Sequence, residues 1–117
     1  MEKYEVLPEE NDEEETDMPE EVTLDLTGCT TGYDFWERIK KAFLFYDYFG
    51  KNWDAFWDLL RTHPAHKVTI IGANLLPKNW KIYTGDTYAE TMERILLRNK
   101  EFQEHIHYEF EYEFIDV

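Results

Sequence analysis

The alternation of apolar and polar residues predicts a β-strand near each end of the chain and a third in the middle. β-branched and apolar residues alternate from Val22 to Leu26, and Thr27-Gly28 closes that segment. Residues 67–72 form a short, nearly continuous apolar run, typical of a strand buried in a parallel sheet. Near the C-terminus, Tyr108, Phe110, Tyr112 and Phe114 alternate with His107, Glu109, Glu111 and Glu113, which predicts a half-buried strand.

Apolar residues at helical spacing predict helices between these strands. Asp34 and Glu37 have the spacing of a capping box, and the apolar face of the helix behind it comprises Phe35, Trp36, Ile39, Ala42 and Phe43. A second helix is predicted from about Asn52 to Arg61. A short helix is predicted within residues 74–83, and a capping box at Thr87 and Glu90 predicts a long helix to about Gln103.

The predicted order is strand, two helices, strand, two helices, strand. Strands separated by connections of this length pair in parallel through right-handed crossovers. We therefore expect an α/β fold with a small three-stranded parallel sheet packed with about four helices.

The net charge of −14 is concentrated at the N-terminus. Residues 1–21 hold eleven acids and one base, a net charge of −10, which leaves −4 for residues 22–117. Dense like charge with few apolar residues is typical of a flexible segment. We expect an acidic tail at 1–21 and one folded domain at 22–117. The tail is either merely solvated, or it attracts a basic partner or covers the domain's own binding face.

Composition also limits the compartment and the chemistry. Cys29 is the only cysteine, so no disulfide is possible within the chain and a reducing compartment is expected. No apolar run is long enough to span a bilayer and no signal pattern is present, so we expect a cytoplasmic protein. Nucleic-acid binding is not expected of so acidic a domain. The four histidines lack a supporting cysteine pair, so we expect no metal and no cofactor.

The most informative segment runs from Tyr48 to Asp58. A turn at Gly50 leads to Asn52, a good helix N-cap, and Trp53, Phe56, Trp57 and Leu60 then form one apolar stripe. Asp54 and Asp58 lie one turn apart on a neighbouring face. An acid in the first turn complements the helix dipole, but Asp58 in mid-helix serves neither helix propensity nor pairing. Asp58 therefore indicates a surface shaped for another purpose.

Paired acids on an exposed helix are poor catalysts. Acid–base chemistry needs two carboxylates with separated pKa values, whereas two acids on one exposed face share the same solvated surroundings. We therefore expect no enzymatic activity. An inert solvated face, with Lys51 and Arg61 partly screening the acids, and a protein-recognition surface both remain possible from the pattern alone.

The segment resembles the barstar family of ribonuclease inhibitors, on Tyr48, Gly50, Asn52, Asp54, Ala55, Trp57, Asp58 and Leu60 in ungapped order. The weaker resemblance covers roughly residues 22–112 and implies the same parallel α/β fold. It also implies that the acid at Asp58 enters a nuclease's catalytic centre, flanked by Asp54 and Tyr48. Gly50, Asn52 and Trp57 complete the partner-binding set that the resemblance implies.

The chain departs from the family pattern after the acidic helix. Arg61, Thr62 and His63 replace small residues and a tryptophan, and an ungapped match of the last helix places Arg98 where the family has an acid. Arg61, His63 and Arg98 are therefore candidate rim residues. Either the register slips, or the partner is a nuclease with a different rim; we prefer the second interpretation, because rim charges often set partner choice.

The expected function is that of an intracellular inhibitor that blocks the basic active site of a secreted-type ribonuclease or nuclease toxin. The alternative is an acidic interaction module that binds a non-nuclease protein. The free protein is expected to be a monomer. The row Glu109, Glu111 and Glu113 is either an ordinary solvated strand face or a second acidic contact surface.

Overall fold

The computed structural model describes residues 19–117. Most of the predicted acidic tail, residues 1–18, lies outside the described residues. Three strands form one sheet: β1 (Glu21–Asp25), β2 (Lys67–Ile71) and β3 (Glu111–Ile115). Their order is β1-β2-β3, and both neighbouring pairs are parallel. The predicted three-stranded parallel sheet is therefore confirmed.

Three α-helices connect and cover the strands: α1 (Gly32–Phe43), α2 (Trp53–Thr62) and α3 (Tyr88–His105). The prediction of about four helices is wrong in one element. The segment predicted as a short helix contains only a 3-10 turn at Ala73–Leu75. Leu76 is then extended, because the ring of Pro77 disfavours the helical conformation in the residue before it.

The start of α1 also differs from the prediction. Thr31, not Asp34, is the N-cap, and its side chain accepts a hydrogen bond from Asp34 N at 3.0 Å. Asp34 therefore lies in the first turn, where its charge complements the helix dipole. Glu37 lies too far from Thr31 to take part in the cap, and it forms an ion pair with Lys51 instead. The capping box predicted at Thr87 and Glu90 is confirmed at the start of α3.

The last strand begins later than its alternating pattern. β3 starts at Glu111, which lies opposite Lys67, the first residue of β2. Earlier residues have no strand to pair with, and His107 has a φ of 62°, which ends the preceding helix rather than extending a strand. The prediction of a strand from about residue 107 is therefore correct only for its second half.

The helices cover one face of the sheet. On that face Val22, Leu24, Val68 and Ile70 are at most 2% exposed, whereas the opposite side chains of β1 and β3 are exposed. β2 therefore buries one face fully and not two, which corrects the expectation from its apolar run. Burial of this apolar surface is the main term that holds the layers together.

A buried polar contact fixes α2 against α3. Gln103 is fully buried, and its Nε2 donates to Arg61 O near the end of α2 at 3.0 Å. The same nitrogen donates to Asn99 Oδ1 at 3.0 Å. Gln103 Oε1 and Asn99 Nδ2 remain buried without a hydrogen-bond partner in the described part of the chain, so the contact is only partly satisfied. The bond to Arg61 O still ties α3 to the end of α2.

Candidate protein-binding surface

Asn52 shapes the start of α2 in two ways. Its Oδ1 accepts a hydrogen bond from Ala55 N at 2.8 Å, which caps the helix as predicted. Its Nδ2 donates to Gly50 O at 3.1 Å, which ties the preceding loop to the cap. One side chain therefore fixes both the helix end and the loop that leads to it.

Position 50 requires a glycine because of close packing, and not because of the predicted turn. The turn lies at Asp47 and Tyr48, and the left-handed residue is Lys51, with φ of 52°. A Cβ on Gly50 would lie 3.2 Å from Ala55 Cβ, tighter than ordinary van der Waals contact. Gly50 thus allows the loop to approach the first turn of α2 closely, and the prediction of a turn at Gly50 is wrong.

Lys51 anchors the loop to α1. Its Nζ forms an ion pair with Glu37 and lies 4.8 Å from the ring centroid of Tyr33. The hydrogen bond to Lys51 holds the pKa of Glu37 below its usual value, and the same bond raises the pKa of Lys51. The expectation that Lys51 screens Asp54 and Asp58 therefore finds no support in these contacts.

The inner side of α2 is fixed by aromatic and aliphatic packing. Phe56 and Leu60 are fully buried, and the half-buried Trp53 meets Trp36 at 4.9 Å between ring centroids. The outer side carries Asp54 and Asp58, both exposed and one turn apart. Two carboxylates are thus presented to solvent by a helix whose other side cannot rotate without breaking the core.

The two acids have different surroundings. The carboxylate of Asp58, 63% exposed, forms an ion pair with Arg61 one turn later. The sequence-based statement that Asp58 has no pairing role is therefore wrong. Asp54 forms no ion pair with any of the residues 19–117. The exposed pair of Asp58 and Arg61 contributes little to stability, because water solvates both charges well.

Trp57 is flanked by two arginines from different helices. The guanidinium carbon of Arg98 on α3 lies 4.5 Å from the centroid of the Trp57 ring, and that of Arg61 lies 5.7 Å away. Phe102 meets the same indole edge-on at 6.4 Å. Arg98 on α3 therefore lies beside α2.

Tyr48 precedes α2 in the chain and His63 follows it. Tyr48 is 75% exposed, and its ring centroid lies 4.3 Å from that of Tyr46. His63 is the exposed C-cap residue of α2, with its Nδ1 2.9 Å from Thr62 Oγ1. Of the predicted contact residues, three precede α2 and three belong to it: Tyr48, Gly50 and Asn52, then Asp54, Trp57 and Asp58. Of the predicted rim residues, Arg61 is in the last turn of α2, His63 caps it, and Arg98 on α3 lies over Trp57.

A groove of about 540 Å³ opens beside Asp54. It lies between the start of α2, the segment before α3 and α3 itself, and is lined by Asn52, Trp53, Asp54, Ile82, Tyr83, Thr91, Arg94, Ile95 and Arg98. Sequence reasoning missed Tyr83 and Arg94, because only the packing of α3 against α2 brings them to this surface. Tyr83 is 98% exposed, a signal that becomes visible only in the structure.

Comparison with known proteins identifies the family. The model of the family described as "Barstar (barnase inhibitor)" matches residues 20–114. The chain belongs to the barstar family. No curated protein and no solved structure gives a match. The family assignment thus agrees with the resemblance, which was strongest from Tyr48 to Leu60 and covered roughly residues 22–112.

The described residues of this member of the barstar family also bear on metal binding, thiol chemistry and membrane spanning. Within residues 19–117, no three histidine, cysteine or acidic side chains are grouped so as to hold a metal ion. Cys29 is buried, and burial raises the pKa of its thiol, which disfavours the nucleophilic thiolate. In the same part of the chain, no helix has the length and apolarity needed to cross a membrane.

Proposed function

We propose that this chain is an intracellular inhibitor of a ribonuclease, which it blocks by placing α2 in the active site of the enzyme. The observation that carries the proposal is the presentation of Asp54 and Asp58 on the outer side of a helix whose inner side is fixed in the core. Membership of a family described as barnase inhibitors supports the same conclusion.

Charge explains how such a helix would inhibit. A ribonuclease active site collects arginine, lysine and histidine to hold phosphates, so it is a basic cleft. Carboxylates at the spacing of Asp54 and Asp58 take the place of phosphates and accept paired hydrogen bonds from arginine. The inhibitor needs no cofactor and catalyses no reaction, because occupation of the cleft excludes the RNA.

The ion pair between Asp58 and Arg61 is compatible with this role. An arginine of the enzyme replaces Arg61 at the carboxylate, and Arg61 remains solvated near Trp57. The exchange costs little because a surface ion pair contributes only about 0 to 1 kcal/mol. Asp54, with no ion pair among residues 19–117, needs no such exchange.

The remaining surface residues have supporting roles in the proposal. Asn52 and Gly50 fix the loop, Tyr48 contacts the enzyme beside the acids, and Trp57, Arg61, His63 and Arg98 border the contact. The partner is a basic secreted-type ribonuclease or nuclease toxin, and the free inhibitor is a monomer. In this proposal the acidic segment before β1 lies outside the inhibitory domain, whose first strand begins at Glu21, one residue earlier than the predicted boundary.

The test begins with capture of partners from the cell extract, using the full chain as bait. A matched bait, Asp54→Ala with Asp58→Ala, separates specific partners from proteins that bind acidic surfaces generally. We expect only the wild-type bait to retain a protein that shows ribonuclease activity once it is released from the bait. Adding the inhibitor back should abolish that activity. A specific partner without ribonuclease activity would instead support an interaction module for a non-nuclease protein.

A further inference from the structure

Arg98 differs from the other three arginines of the chain. Arg38 pairs with Asp34, Arg61 with Asp58 and Arg94 with Asp86. Among residues 19–117, no carboxylate lies within 4 Å of the Arg98 guanidinium. The domain therefore presents one arginine whose charge its own acids leave unneutralised, next to its acidic helix.

The position of Arg98 prepares it to bind an anion. Its guanidinium lies over the Trp57 ring at 4.5 Å, while the residue as a whole remains exposed. Stacking on an aromatic ring restricts the long side chain and leaves the N–H groups at the edge of the guanidinium available. A side chain that is already ordered loses less entropy when it binds a ligand. The two parallel N–H groups of a guanidinium also match the two oxygens of a carboxylate.

The groove beside Arg98 indicates which chemical group lies next to the carboxylate of the ligand. Trp53, Ile82 and Ile95 give it apolar walls, and the exposed Tyr83 lies at its edge. Arg94, also on the lining, has a carboxylate partner in Asp86, so Arg98 is the lining arginine left to attract an acid. The lining also includes Asp54, so the groove combines apolar contact area with one arginine and one carboxylate that have no ion-pair partner among residues 19–117.

We propose that the groove and Arg98 receive an acidic side chain, with an adjacent apolar one, from the inhibited enzyme. This inference rests on the proposed function and specifies its partner. The binding surface then carries both signs of charge: Asp54 and Asp58 meet a basic cleft, and Arg98 meets an acid on the rim of that cleft. Arg98 is the specificity-determining residue, because a ribonuclease with only basic groups at that point is repelled.

The first experiment needs no enzyme and uses the full chain. The probes are acetyl-Phe-Glu-amide and its neutral counterpart acetyl-Phe-Gln-amide, titrated while the side-chain NMR signals of Trp57 and Arg98 are recorded. We expect the glutamate peptide to bind at about millimolar concentration and at least about tenfold more tightly than the glutamine peptide, although the protein is acidic overall. Arg98→Gln should remove the preference, whereas the matched change Lys41→Gln on α1 should keep it.

Equal binding of the two peptides, or no change at the groove with either, would overturn the proposal. Arg98→Lys separates a carboxylate receptor from a side chain that only covers Trp57. Lysine keeps the charge but loses the planar pair of donors, so peptide affinity should fall while the unfolding transition stays in place. A lower melting temperature with unchanged preference for glutamate would show that Arg98 has only a structural role.

The second experiment uses the ribonuclease captured by the full chain. Arg98→Glu should weaken that complex by at least about 30-fold, because attraction becomes repulsion at a close contact. Lys41→Glu makes the same change of charge on an exposed site outside the groove and should weaken binding less than about threefold. Equal effects of the two variants would contradict the role of Arg98.

These results distinguish the inference from the proposed function. If Asp58→Ala breaks the ribonuclease complex and Arg98→Glu does not, the inhibitor function stands and the carboxylate site fails. If the bait captures no ribonuclease, the proposed function fails, and the peptide titration still decides whether the groove binds a carboxylate.

Discussion

The chain has two acidic rows, Asp54 and Asp58 on α2 and Glu111 and Glu113 on β3. They look alike in the sequence and differ in their surroundings. On β3, Glu111 forms an ion pair with Lys100 at 3.0 Å, and Glu113 forms one with Lys67 at 3.6 Å. On α2, Asp58 pairs only with its neighbour Arg61, and Asp54 has no ion pair among residues 19–117. The partners of an acid, and not the density of acids, therefore distinguish the two rows.

The position of each row supports the same distinction. β3 is an edge strand, where charged side chains discourage pairing with other chains, and its lysine partners connect it to β2 and α3. The structure thus favours the ordinary solvated face among the two interpretations of the glutamate row. On α2, Asp54 lines a groove, and among residues 19–117 neither Asp54 nor Asp58 has an ion-pair partner outside the helix.

The largest expected effect comes from removing both acids of α2. Asp54→Ala combined with Asp58→Ala should weaken the ribonuclease complex by about 4 kcal/mol or more, because each acid is expected to be a hot spot of about 2 kcal/mol. Glu111→Ala combined with Glu113→Ala removes the same charge from β3 and should leave affinity nearly unchanged. Isothermal titration calorimetry measures both; equal losses would erase the distinction between the rows.

A second prediction concerns the contact that holds α2 in place. Gln103→Ala removes the hydrogen bonds to Arg61 O and Asn99 Oδ1 and leaves a cavity, so the free energy of unfolding should fall by about 2 to 3 kcal/mol. Glu101→Ala, an exposed change on the same helix, is the control and should stay within about 0.5 kcal/mol. Urea unfolding checks both, and a Gln103 variant as stable as its control would remove this contact from the account.

A smaller effect is expected at Glu111 on β3, which pairs with Lys100. Its hydrogen bond raises the pKa of Lys100, so Glu111 stabilises the charged lysine in the folded state. Because the pair is exposed, Glu111→Gln should lower the melting temperature by no more than a few degrees and leave ribonuclease affinity unchanged. A marked loss of affinity would identify β3 as a second contact surface.

The smallest effect is a pH-dependent one at Asp86, beside the groove. Hydrogen bonds from Thr84 and then Arg94 hold the pKa of Asp86 below its usual value. A carboxyl group whose pKa is lower in the folded state stabilises the fold above its unfolded pKa, and this contribution disappears as the pH falls through the folded pKa. Asp86→Asn should therefore melt earlier than wild type at about pH 7, and the gap should narrow as the pH falls below 3.8, the ordinary pKa of an aspartic acid. A gap that persists in acid would assign the effect to packing.

Local chemistry made part of this structure predictable. Asn52 and the pair Thr87 and Glu90 were correctly predicted as caps, since a cap depends on residues within one turn. Thr31 was missed because Asp34 fits the same local pattern equally well. For α1, only the full backbone decides which polar residue precedes the first turn.

Long-range packing set the limit of sequence reasoning at the site. The sequence places Asp54 and Asp58 on one helix face, because helical period alone determines it. The stacking of Arg98 on Trp57 joins residues 41 positions apart, and the groove depends on the same packing of α3 against α2. No local pattern encodes such a contact, so the charge beside the acidic helix was predicted only through the family resemblance.

The most direct test of the account measures binding and stability together for one acid from each row. Asp58→Ala replaces a weak helix former with the best one and loses only a local ion pair, so the free energy of unfolding should change by no more than a few tenths of a kcal/mol. Its ribonuclease complex should weaken by at least about 2 kcal/mol, while Glu113→Ala should leave affinity unchanged. If Asp58→Ala unfolds the domain, or binds the ribonuclease as tightly as Glu113→Ala does, the acids of α2 are not the inhibitory groups.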